Sequence, residues 1–175
     1  MRWLPFQLNP DLPAGGIPRT EYVARKFGAR GKGNYERVAA VGRTVGIDFA
    51  FDRIEVQPNT VNAHRLLIHA DRAGRQDAMA DELFKAYFLE GANLTDSATL
   101  ARVAGRAGLD EQAAAAYLET DEDKAVVEQA DVEARGAGIG GVPFFIFNRK
   151  VGVSGAQDPD VLLDAMLQAS QASDT

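Results

Sequence analysis

The eighteen residues GGVPFFIFNRKVGVSGAQ (140–157) decide how this chain is read. Two short apolar runs, Phe144–Phe147 and Val151–Val153, flank the polar pair Asn148-Arg149, which is the pattern of a β-hairpin. A proline stands directly in front of the first run, and proline has no N–H to give to a ladder. Pro143 therefore either starts an ordinary edge strand or follows a cis peptide bond, a geometry retained where a fold requires it. In the cis reading the N–H and C=O of Val142 point outward, where an extended peptide can add as a strand. Gly140-Gly141 would let that peptide's backbone come close. The second run ends in Ser154-Gly155-Ala156-Gln157, at the start of the last predicted helix. Free N–H groups there favour an anionic group such as a carboxylate. Asp158 competes for the same donors, and an ordinary strand-to-helix loop has the same spacing.

Outward from the hairpin, Asp158-Pro159 reads as an N-cap followed by proline at the first helical position, opening a helix through Val161, Leu162, Ala165 and Met166. The tail QASQASDT reads as frayed. Upstream, helices are predicted over 60–73, 76–90, 97–107, 110–119 and 122–136. Asp96 and Asp110 stand as caps, and Gly91 and Gly108 as stops. Nearer the N-terminus, Thr20 can cap a helix to Phe27. Asn34 can cap another through Val38, Val41 and Val45, ended by Gly46. Residues 2–8 alternate as a short strand, edge or bulged because of Pro5, and 47–56 alternate as an extended segment. The order is strand, helices, hairpin, helix: an α/β plan with an all-helical middle inserted.

The bulk numbers bound the function. At 175 residues, 46% hydrophobic and 25% charged, the chain fits one ordinary globular domain with an inserted subdomain. A net charge of −6 argues against nucleic acid, which demands clustered Lys and Arg. No apolar run reaches the roughly 20 residues a membrane span needs, and no signal peptide is evident, so a cytoplasmic location is expected. With no cysteine, disulfides, thiolate metal sites and cysteine nucleophiles are all excluded for these residues.

Other motifs carry less. GAGIGG (136–141) has its helix before it and its strand after it, the reverse of a dinucleotide loop, and GARGKG (28–33) lacks the Lys-Ser/Thr of a phosphate loop. His64 and His69 lie about 140° apart around a helix, so they cannot chelate one metal, and no metal site is expected. His64, beside Val61, Leu67 and Ile68, reads first as a packing residue. GVSGA (152–156) misses a nucleophile elbow by its last residue, and no histidine follows Ser154.

Taken together, GIGGVPFFIFNRKVGVSGAQDPDVLLDAM (138–166) resembles the C-terminal hallmark of the DsbA-like thioredoxin-fold family, in particular its FrnE-like branch. WLPFQLNPDLP (3–13), PNTVNAHRLL (58–67) and residues 108–145 are similar to the same branch. The 2-hydroxychromene-2-carboxylate isomerases and kappa-class glutathione transferases share the fold and its helical insertion. The resemblance implies an α/β thioredoxin-like part over 1–58 and 137–175, incomplete, with an inserted helical subdomain over 59–136. It implies that Pro143 is the cis-proline and Val142 the backbone partner of a substrate. Asn59 and His64 match the helix edging that cleft, and Ser154, Ala156 and Gln157 match the loop that holds glutathione in the glutathione-using cousins. No resident cofactor is implied beyond glutathione itself. The expected partner is a thiol or disulfide peptide or a small thiol, with a homodimer as one way to complete the sheet.

The chain departs from the family in lacking the first strand and the Cys-x-x-Cys that opens the following helix. That strand is central in a thioredoxin sheet, so its absence leaves an open apolar edge on 144–147. Strand 2–8 sliding inward, a second chain, or a native protein longer than 175 residues would each resolve this, and the last is the reading favoured. The expected function is a DsbA/FrnE-type thiol–disulfide oxidoreductase relative that is redox-inactive as this cysteine-free chain, with no catalytic residue of its own. The alternatives are a glutathione-dependent isomerase or transferase of the same fold, and a non-catalytic peptide-binding module.

Overall fold

Leu66, Met79, Leu100 and Val103 are sealed from solvent, and the elements that carry them organise most of the molecule. The computed structural model describes residues 1–28 and 31–171. Within the segment 28–33, residues 29 and 30 lie outside the described residues, as do 172–175 of the predicted frayed tail. The chain divides into two compact units, Met1–Glu128 and Gln129–Thr175.

The first unit begins with β1 (Ile17–Pro18), α1 (Arg19–Phe27), α2 (Gly31–Thr44), a 3₁₀ turn (Phe51–Arg53) and β2 (Val56–Gln57). It continues through α3 (Val61–Arg72), α4 (Gln76–Phe84), a π-helical turn (Lys85–Leu89), α5 (Ser97–Arg106) and α6 (Glu111–Leu118), and α7 (Lys124–Gly136) crosses into the second unit. β1 and β2 pair antiparallel over only two residues each. The core lies among α3 to α6, because each buries one apolar stripe. On α5 that stripe is Leu100, Ala101, Val103 and Ala104, the three-to-four spacing of a single helix face. Asp96 and Asp110 cap their helices as expected, accepting from Thr99 N at 2.8 Å and Ala113 N at 2.7 Å. Gly91 and Gly108 end theirs with φ of 73° and 86°.

Three local expectations fail. Residues 1–7 form no strand. Their backbone is instead held by side chains: Gln76 donates to Trp3 O at 3.1 Å and accepts from Trp3 N at 2.9 Å. Thr20 and Asn34 are not caps, since α1 starts at Arg19 after Pro18 and Asn34 lies inside α2. Of the extended segment 47–56, only Val56 enters a strand, because the 3₁₀ turn at Phe51–Arg53 interrupts it and stacks Phe51 on Phe49 at 4.8 Å.

The second unit holds the hairpin β3 (Phe144–Phe147) and β4 (Val151–Ser154), followed by α8 (Pro159–Gln171). The register pairs Phe144 with Ser154 and Phe147 with Val151. Among the described residues β3 is bonded on one side only, to β4. Ala165 and Ala169 of α8 are buried, and Asn148 Nδ2 donates to Ala169 O at 3.3 Å. No helix among the described residues is long and apolar enough to cross a membrane.

Candidate functional site

The hairpin turn is built by residues that accept a left-handed backbone. Asn148 and Arg149 have φ of 51° and 60°, positive values at both central residues of the turn, and with Lys150 they form the three-residue connection between the paired Phe147 and Val151. Lys150 N closes the turn on Phe147 O at 2.9 Å. A Cβ at Gly152 would sit 2.9 Å from the tip of the Phe144 ring on the partner strand, so any side chain there would have to displace that ring. The turn and its register thus fix where both strand ends lie.

Those ends converge. Gly155 N donates to Pro143 O at 2.8 Å, which brings Val142 and Pro143 against the loop of Ser154, Ala156 and Gln157. The Val142–Pro143 peptide is cis. Val142 is 48% exposed, and neither its N–H nor its C=O is hydrogen-bonded to a described residue. Ser154, Ala156 and Gln157 are exposed as well. Gln157 does not reach outward: its Nε2 donates to Ser154 O at 2.9 Å, and its backbone N to Gly155 O at 3.1 Å. The site offers backbone groups and an exposed hydroxyl, with no thiol.

Asn59 and His64 belong to the first unit and hold the N-terminal segment there. Asn59 Nδ2 donates to Leu12 O at 2.7 Å while its Oδ1 accepts from Val61 N at 3.0 Å. His64 Nε2 lies 3.1 Å from Phe6 O. His69, the other histidine, stacks on Tyr117 with ring centres 4.6 Å apart. Among the described residues no group of three His, Asp or Glu side chains is placed to hold a metal ion.

Sequence reading overlooked Arg65, one residue beyond His64 and fully buried. Its guanidinium donates to Glu122 O (2.7 Å), Asn62 Oδ1 (2.8 Å), Thr120 O (2.8 Å) and Tyr117 O (2.9 Å), closing the C-terminal end of α6. The cation lies 4.8 Å from the centre of the Tyr117 ring. The available signal was an arginine amid the buried positions Ala63, Leu66 and Ala70 of α3. Nearby, Tyr117 Oη donates to Asp123 at 2.7 Å, and Asp123 accepts from Arg72 at 2.7 Å. Burial raises the Asp123 carboxyl, but Tyr117 and Arg72 outweigh it and hold the group below the usual carboxylate range. Burial, then the bond to Asp123, raises the Tyr117 phenol. An open cleft of about 500 Å³ is lined here by His69, Arg72, Ala116, Tyr117, Thr120 and Glu122.

Comparison with known proteins agrees with this architecture. The probable DsbA oxidoreductase of Streptomyces coelicolor superposes with a TM-score of 0.86 at 28% identity, over 97% of this chain and 75% of that one. The uncharacterized Bacillus subtilis protein YwbO is 26% identical over 171 residues, which is 95% of this chain and 80% of that protein. The fold is the DsbA-like thioredoxin fold, mostly helical with a small sheet. Matched over residues 1–167, the chain belongs to the DsbA-like thioredoxin domain family.

Proposed function

We propose that this chain is a peptide-binding relative of the DsbA oxidoreductases, which performs no thiol–disulfide exchange through its own side chains. One observation carries the reading: the backbone N–H and C=O of the half-exposed Val142 are unengaged, beside a strand end tied down by Gly155. An extended chain bonds to such groups by strand addition, with affinity from the main chain and selectivity from side-chain pockets. Exchange chemistry needs a thiolate to attack a disulfide sulfur, and the 175 residues contain no cysteine. The glutathione reading has less support, because it rests on the resemblance of residues 154–157 alone; Gln157 Nε2 gives one of its two hydrogens to Ser154 O and keeps the other.

Two measurements test the proposal. Insulin reduction by dithiothreitol should proceed at the uncatalysed rate with this chain present, and acceleration would refute redox inactivity. Titration of the ¹⁵N-labelled chain with a short extended peptide should shift the Val142 and Gly155 amides. Methylating the peptide's backbone nitrogens should weaken binding about tenfold, the equivalent of one good hydrogen bond at about 1.4 kcal/mol. Shifts confined to other residues, or indifference to N-methylation, would overturn the strand-addition reading.

A further inference from the structure

We propose that Arg19 and Lys26, with Tyr22, Tyr35 and Tyr87 around them, form a binding site for a small oxyanion in the first unit, a carboxylate or a phosphate. Arg19 opens α1. Its Cζ lies 4.6 Å from the centre of the Tyr35 ring and 5.5 Å from that of Tyr22. Its Nη1 donates to Gln57 Oε1 and reaches Tyr87 Oη at 3.4 Å, so that Nε and Nη2 remain without an acceptor among the described residues. Two turns along α1, Lys26 Nζ donates to Tyr22 Oη at 2.8 Å and sits 5.3 Å from the same ring's centre.

What singles out this cluster is that no carboxylate among the described residues pairs with either cation within salt-bridge distance. Glu21, the acid in the first turn of α1, is paired with Arg25 instead. Among the described residues, the charged side chains that act on Tyr35 are Arg19 and Lys26, and Arg19 acts on Tyr87. Burial pushes the Tyr87 phenol up to about 12 and raises that of Tyr35, so both hydroxyls keep their protons at neutral pH. The nearby acceptors are already engaged: Gln57 Oε1 accepts from Arg19 and, at 3.4 Å, from Tyr87 Oη, which also lies 3.5 Å from Val56 O. A wall of donors and cations complements a group that only accepts, and guanidinium forks suit planar or tetrahedral oxyanions.

Chemical-shift titration of the full ¹⁵N-labelled chain with inorganic phosphate, and separately with acetate, tests the site, with ionic strength held constant by chloride. The expected result is saturable binding that moves the Arg19 Nε–H signal and the amides of Tyr22 and Tyr35. Arg19→Gln should weaken it at least tenfold and Lys26→Gln several-fold. Arg43→Gln, an exposed cation on α2, should leave it unchanged. The anion bound more tightly assigns the ligand as phosphate or carboxylate. Binding of neither, equal loss in the Arg43 variant, or wild-type affinity in the Arg19 variant would overturn the proposal. Should Arg19→Gln fail to fold by circular dichroism, Lys26→Gln decides alone, since Lys26 is exposed and its fold contacts are confined to Tyr22 and its neighbour Phe27. A failure here leaves the Val142 reading untouched, because that rests on residues of the second unit.

Discussion

Arg65→Met should destabilise the first unit by about 3–4 kcal/mol. The guanidinium makes four bonds of 2.7–2.9 Å, three of them to backbone carbonyls at the end of α6 and just beyond. At about 1.5–3 kcal/mol for each charge-assisted bond, the gross loss is roughly 6–12 kcal/mol. Two effects reduce it. Removing the cation also removes its desolvation cost, several kcal/mol for a fully buried ion. Tyr117 O also keeps a donor, the Thr120 hydroxyl at 2.7 Å. The net figure lies within the range of about 3–5 kcal/mol seen when one partner of a buried charged network is removed. Urea unfolding followed by Trp3 fluorescence reads it directly, because the single tryptophan is anchored to Gln76 and Asp77 of this unit. With a slope of about 2 kcal/mol per molar, the midpoint should fall by about 1.5–2 M. Arg65→Lys should recover only part of this, since an ammonium cannot reach all four acceptors at once. A midpoint shift below about 0.5 M for the methionine variant would mean that desolvation cancels the bonds, and the accounting would be wrong.

Three further outcomes follow from the same coordinates. Leu100→Ala, at a position with no solvent exposure, should cost about 3–5 kcal/mol in the same urea experiment. Gly91→Ala and Gly74→Ala both place a side chain at positive φ, yet their costs should differ. An added Cβ at 91 would lie 2.6 Å from Arg53 Cβ and O, whereas at 74 it meets nothing within 4 Å. Melting curves should show about 1 kcal/mol lost at 74 and about 3 kcal/mol or more at 91. Asp96→Ala should cost about 1 kcal/mol at neutral pH through loss of its helix cap. Hydrogen bonds from Thr99 lower the Asp96 carboxyl below its usual value, so its contribution is complete above about pH 4. It fades as pH falls through the lowered folded value, and the difference between wild type and variant should vanish at the acid end of a stability–pH profile.

The sequence alone determined whatever the backbone chemistry of a few neighbouring residues controls. Asp96 and Asp110 cap because a short carboxylate reaches an N–H three residues on, and Gly91 and Gly108 end helices because they accept positive φ without strain. The hairpin was legible for the same reason, since its turn residues accept the backbone it needs, whereas the approach of Pro143 to Gly155 came from the structure. Tertiary structure decided the rest. Residues 2–8 alternate like a strand, yet Gln76 and His64, 73 and 58 positions away from the residues they hold, satisfy their backbone instead. Asn59 and His64, which the resemblance places beside a cleft, also hold Leu12 and Phe6 of the N-terminal segment, and Arg65 beside them closes a helix about fifty residues downstream. The grouping of Arg19 and Lys26 with Tyr35 and Tyr87 is likewise invisible in one dimension. Each of these is a contact between a side chain and a distant group, and no local periodicity encodes which distant group the folded core will bring beside it.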